Sequence, residues 1–145
     1  MAAYNKFSDF VEQLCKAKHN FDAAGDVFKI FLTNEQPLAA DTVKADMVDL
    51  STANGYTAGG VDIQNSLGEA AGTATVTATN VVWTASGGTI GPFRHVVCYN
   101  DTQTSPADAL VNWWDYGSAL TLQDGESFTV KFDNQPATGT LFTLV

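Results

Sequence analysis

Two histidines, two cysteines and sixteen carboxylates are the side chains of this chain best suited to acid–base, nucleophilic or metal chemistry. Their spacing assembles no familiar centre. His19 and His95 are isolated, with no HxxxH or HExxH pattern to hold zinc and no alternating acids closing on a glutamate to hold calcium. There is no GxSxG elbow. Cys98 and His95 stand three apart in an expected strand, which puts them on opposite faces and argues against a thiol–imidazole dyad. Twelve Asp and four Glu permit many glycosidase-like carboxylate pairs, but the spacing selects none. Cys15 and Cys98 lie in no CxxC or metal-ligand spacing and read as two buried free thiols. The glycine-rich stretch Asn54-Gly55-Tyr56-Thr57-Ala58-Gly59-Gly60 lacks both phosphate-loop patterns and has no lysine beside it, so it reads as a turn. No enzyme activity, cofactor or metal is expected.

Charge narrows the partners. The net charge is −9. Residues 1–44 carry five lysines against six acids, whereas residues 45–145 carry only Arg94 and Lys131 against ten. Phosphate backbones and anionic membranes are bound through clustered Lys and Arg, so neither nucleic acid nor membrane is an expected partner. A basic partner fits better. Arg94, the only arginine, is expected to pair with a carboxylate, within the chain or across an interface. No apolar run reaches the roughly 20 residues of a membrane span. The start Met1-Ala2-Ala3-Tyr4-Asn5-Lys6 has no secretory character, so the protein is expected to be soluble and used where it is made.

The aromatic residues say more. Trp113 and Trp114 are adjacent in an expected strand and must point to opposite faces, with Asp115 on the side of Trp113 and Tyr116 on that of Trp114. Three readings stand: a strand covered on both sides within one chain, a subunit interface anchored by Trp and Tyr, or a carbohydrate platform.

At 145 residues the chain suits one domain. Residues 1–25 are expected to form a helical arm and residues 26–145 a β domain. Phe7, Phe10, Val11 and Leu14 recur at helical spacing, giving an amphipathic helix that either lies on its own domain or docks on a neighbour. Val27–Thr33 is apolar on both faces and reads as a covered strand. Residues 42–50 suit a short helical turn with Val43, Met47 and Leu50 inward. Thr73–Thr79 alternates threonine with Ala74, Val76 and Ala78, the pattern of a half-exposed strand and a candidate edge. Further strands are expected over residues 80–85, 94–99, 110–116, 120–122, 128–132 and 141–145, with Asp124-Gly125 as a hairpin turn. Seven to nine short strands spaced by turns indicate an antiparallel all-β fold, a β-sandwich or jelly roll, with one N-terminal amphipathic helix.

Several of these segments resemble a family of small virion proteins of tailed bacteriophages and prophages, the capsid cement or decoration proteins. The similar stretches are Asn54–Gly60, Thr84-Ala85-Ser86-Gly87-Gly88-Thr89-Ile90-Gly91-Pro92-Phe93-Arg94, Tyr99-Asn100-Asp101-Thr102, Trp113-Trp114-Asp115-Tyr116-Gly117 and Asp124-Gly125-Glu126-Ser127-Phe128-Thr129-Val130, with the helical start around Phe7 and Phe10 and the segment Phe28–Asn34. These motifs carry no chemistry of their own. The resemblance implies a self-associating β-sandwich or jelly-roll subunit bridging major capsid proteins. The expectation is a dimer or trimer on the outer capsid surface of the virion, made in the cytoplasm of the bacterial host. Its interface would draw on Phe7, Phe10, Trp113, Trp114, Tyr116 and Arg94. The alternative is a receptor- or glycan-binding module of a tail or head fibre.

Overall fold

The run Phe28-Lys29-Ile30-Phe31-Leu32-Thr33 sends apolar side chains to both faces and forms a strand buried on both. It belongs to the middle of a chain that the computed structural model describes over residues 2–145. The described elements are β1 (Tyr4–Lys6), α1 (Ser8–Cys15), β2 (Phe28–Thr33), β3 (Val61–Asp62), β4 (Ser66–Ala70), β5 (Thr73–Thr79), β6 (Val81–Thr84), β7 (Ile90–Asn100), β8 (Leu110–Leu122), β9 (Ser127–Val130) and β10 (Thr138–Leu144), with 3-10 turns at Lys44–Asp46 and Phe132–Asn134. The fold is all-β with one short helix, as the alternating patterns indicate.

All pairings are antiparallel. A five-stranded sheet runs β1-β8-β7-β2-β3, opposite a three-stranded sheet β10-β5-β4 and a two-stranded sheet β6-β9. The main core lies between these layers. Phe28, Ile30, Leu32, Phe93, Val96, Cys98 and Val111 from the large sheet meet Val76, Ala78, Val81, Trp83 and Leu141 from the other two. Alternation along β2 and β7 also sends Phe31, Val97 and Tyr99 to the opposite face, where they form a second cluster with Phe7, Met47, Leu110 and Trp113. Residues 34–50 cover it. This segment is pinned by backbone bonds from Ser8 to Ala39, from Lys44 to Asp108, from Leu50 to Leu32 and from Leu110 to Thr42.

Several expectations are corrected. Residues 1–25 are not a separate arm: β1 is the edge strand of the large sheet, in register Tyr4↔Trp114 and Lys6↔Asn112. The helix spans only Ser8–Cys15, so Phe7 precedes it, Phe10 is buried, Leu14 is half-buried and Val11 points to solvent. The turn expected over residues 42–50 shrinks to Lys44–Asp46, where the Asp46 carboxylate accepts the Thr42 and Val43 N–H groups. The threonine-rich β5 is a middle strand, flanked by β4 and β10, and β4 is the exposed edge. Residues 110–116 and 120–122 are one strand. The turn at Asp124-Gly125 forms, but Ala85 bonds to Gly125 and Glu126, so β9 pairs with β6 rather than returning along β8. Cys98 is buried and free as expected, but Cys15 is exposed.

His19 seals the far end of the core. It sits among Phe10, Phe21 and Phe28, with the Asn100 side-chain amide 3.1 Å from Nδ1. Burial pushes its pKa down to about 4, against nearby Asp26 and Asp9, which pull it up. Between the ordinary value of 6.5 and about 4, the unfolded chain therefore binds a proton that the folded chain refuses. The His19 contribution to stability is present above that window and is lost as the pH falls through it, on the order of 3 kcal/mol in all. Chemical denaturation from pH 7 to pH 4 is expected to show this loss in the wild type and a clearly shallower one in His19→Gln. Equal slopes would mean that another group governs the acid limb.

Candidate binding groove

The two layers leave one side of the sandwich open. β5 and β6 run on from one another across Asn80, and their partners β10 and β9 lie in line alongside them. Each of these partners is an outermost strand of its sheet, and β1 is the edge of the large sheet facing them. Between these edges lies a groove of about 610 Å³, walled by Tyr4, Trp114, Tyr116, Phe128, Val130 and Phe132. Its rim carries Thr129, Lys131, Asp133, Asn134, Thr140 and Thr143.

Local sequence explains each wall. Trp114 and Tyr116 are two apart on β8 and share its groove-facing side, and Phe128 and Val130 do the same on β9. Edge-on contacts between rings hold the walls. Tyr4 lies 6.2 Å from Trp114, Trp114 lies 5.7 Å from Phe132, and Tyr116 lies 5.7 Å from Phe128. Such T-shaped pairs are favourable beyond the area they bury. Partial burial raises the Tyr4 hydroxyl above the ordinary phenol value, although 38% of the residue stays exposed. Tyr116 remains 54% exposed, with Phe128 against it edge-on.

The expected site residues divide. Trp114 and Tyr116 line the groove. Trp113 points the other way and packs 4.5 Å from Phe7 in the second cluster. Phe7 is completely buried and Phe10 only 3% exposed, so neither offers a surface to a partner. Arg94 is paired within the chain: Nε and Nη2 each donate to an oxygen of Asp115 at 2.8 Å. Together with the Gly117 N–H, this fork holds the Asp115 carboxyl down to about 2. Tyr4, Phe128, Val130 and Phe132 were not expected at the site. The alternation of Phe128, Val130 and Phe132 signalled a one-sided strand, but nothing local told which layer it would face.

The Arg94–Asp115 pair is more than a third exposed on the arginine side, so its contribution is modest. Arg94→Ala is expected to lower stability only slightly. The depressed Asp115 value means that this contribution is present above the ordinary carboxylate range and is lost as pH falls toward 2. In Arg94→Ala the Asp115 titration, followed by carboxyl NMR, should move up toward that ordinary range. An unmoved midpoint would show that the Gly117 amide alone sets it.

Other chemistry-bearing groups are engaged elsewhere. Cys98 points into the main core, where burial pushes its thiol well above the usual range. His95 is on the opposite face, 3.6 Å from Asp115. A second, smaller cavity contains Asp49, but its oxygens accept the Tyr56 hydroxyl at 2.5 Å and the Gly59 N–H at 2.6 Å and face Lys44 at 3.0 Å. That network ties the glycine-rich loop to the sheet, with Tyr99 donating to the Gly59 carbonyl. Among the described residues no group of three or more His, Cys, Asp or Glu is placed to hold a metal, and no helix is long and apolar enough to cross a membrane. The groove itself presents an aromatic floor with hydroxyl, amide and two opposite charges at its rim. In comparisons with known proteins, no family model, curated protein or solved structure matches this chain.

Proposed function

We propose that this chain is a structural protein of a tailed-phage virion, a cement or decoration protein that binds the outer surface of the head and bridges neighbouring major capsid proteins. One observation carries the proposal. Two of the segments that resemble the cement family, Trp113–Gly117 and Asp124–Val130, supply opposite walls of a single aromatic groove at an open side of the fold. A groove of that kind suits a protein partner, because clustered aromatic side chains anchor interfaces. The acidic remainder of the molecule, net −9, suits basic patches on a capsid. Binding the assembled shell in preference to free subunits stabilises the shell by mass action. Self-association as a dimer or trimer would multiply weak contacts across symmetry-related positions.

A second reading has its own support. The exposed ring of Tyr116 beside Thr129, Asp133 and Asn134 is a combination that suits a sugar, with one stacking face and several hydrogen-bonding groups. Under that reading the chain is a receptor- or glycan-binding module of a tail or head fibre. Purified protein applied in parallel to capsids stripped of accessory proteins and to a glycan array separates the two. The cement reading expects capsid binding and silent glycans; binding to glycans without capsid overturns it.

A further inference from the structure

We propose that the groove takes an extended polypeptide segment of its partner, added as a strand to the outer edge of β9. This rests on the reading of the groove as a protein-docking surface and specifies how that docking is made.

The hydrogen bonding around β9 fixes which of its groups are free. Ala85 donates to the Glu126 carbonyl at one end of the β6–β9 pair, and at the other end Asn80 turns its N–H away to Ala137. In an antiparallel pair, bonded and non-bonded positions alternate. With the register Val81↔Val130, Val82↔Thr129, Trp83↔Phe128 and Thr84↔Ser127, the bonded pairs are those of Val130 and Phe128. Ser127 and Thr129 therefore direct their N–H and C=O groups outward, to an edge that no other strand among the described residues occupies. Both residues are exposed. An unpaired strand edge is a ready template for another chain. β9 is short, at four residues, but within it that edge carries neither a charged residue nor a proline.

The side chains favour the same occupant. Phe128 and Val130 face the groove, so alternate residues of an added strand would fall over Trp114, Tyr116 and Tyr4. Charge sets the ends of the segment. Lys131 and Asp133 balance one another along the groove, which suits an uncharged, apolar middle. Asp124 and Glu126 stand exposed where β9 begins, which suits a lysine or arginine at the end of the segment that meets Ser127. A sugar would use the rim and the Tyr116 ring but would leave the ladder of backbone groups unused.

The test is selection of a displayed random dodecapeptide library on the full-length chain, followed by amide exchange and a variant. Enriched peptides are expected to alternate apolar residues and to carry a basic residue at one end. On binding they should slow exchange of the Ser127 and Thr129 amides. Thr129→Pro removes one outward N–H and obstructs the incoming strand, and it leaves the β6 pairing intact because that N–H does not bond to β6. It should weaken peptide binding by about tenfold or more. Peptides that bind without slowing those two amides overturn the proposal, a readout made on the wild type whether or not the variant folds. Failure to enrich any peptide also overturns it, as does occupancy of the groove by glycans or by a second copy of the chain. Capsid binding is scored separately by sedimentation. Capsid binding that persists while strand addition fails leaves the cement reading standing, and the reverse result removes the cement reading alone.

Discussion

Gly60→Ala is expected to leave the chain unable to hold its native fold. Gly60 ends the glycine-rich loop at φ +76°, just before β3. A methyl group built there would lie 1.8 Å from the Ile30 carbonyl oxygen and 2.9 Å from the Phe31 Cα, backbone atoms of the buried strand β2. Neither can yield without breaking the Ile30↔Val61 pairing and moving a strand that the main core and the second cluster both hold. The expected cost exceeds about 4 kcal/mol, a large part of the roughly 5–15 kcal/mol that stabilises a domain. Gly125→Ala supplies the comparison. It too has positive φ, +86°, but nothing lies within 4 Å of its added methyl. Only the backbone strain of about 1–2 kcal/mol should remain. Urea denaturation of both variants checks the pair, and similar midpoints would show that the close approach to β2 relaxes cheaply.

Tyr116→Ala should have the largest effect on binding with the least effect on folding. The ring is 54% exposed and touches Phe128 edge-on, so truncating it removes little buried area. Its stability cost should stay near 0.5 kcal/mol, as for surface substitutions generally. If the groove is the docking surface, however, the ring is an anchor, and anchors of this type cost about 2 kcal/mol or more when truncated, a roughly thirtyfold loss of affinity. Trp114→Ala is a less selective probe because Trp114 also packs on Phe132 and Tyr4, so it should lower both stability and binding. Sedimentation with capsids and thermal melting, run on both variants, separate the two effects. Undiminished capsid binding by Tyr116→Ala would remove the groove from the interface.

The class of the fold was legible in the sequence, and so were several faces. Strict alternation in Thr73–Thr79 and apolar residues on both sides of Phe28–Thr33 report local geometry, and both segments formed strands in the expected register of inward residues. The opposite facings of Trp113 and Trp114 follow from the same rule and hold in the structure. What alternation does not encode is the identity of the neighbouring strand. β5 lies between two strands rather than at an edge because a C-terminal segment 59 to 70 residues away pairs with it, and no residue of β5 announces that partner. The groove was half visible for the same reason. Trp114 and Tyr116 were marked by their spacing, whereas Phe128, Val130 and Tyr4 join them only because β9 crosses to β6 and the N-terminus adds β1 to β8. Phe7 fits the helical spacing but lies one residue before the helix starts. Its extended backbone turns the ring onto Trp113, inside the protein.

Under the proposed function, this protein binds an assembled phage head through its groove. Incubation of purified protein with virions or with capsids stripped of accessory proteins, read by sedimentation and then imaged by cryo-EM, tests it most directly. The expected result is saturable binding at repeated lattice positions, with the Trp114–Tyr116 and Phe128–Val130 walls against the capsid and a shell that withstands higher temperature. Absence of the protein from the shell, with recovery on tails or on host cells instead, would contradict the claim and favour the receptor-binding module.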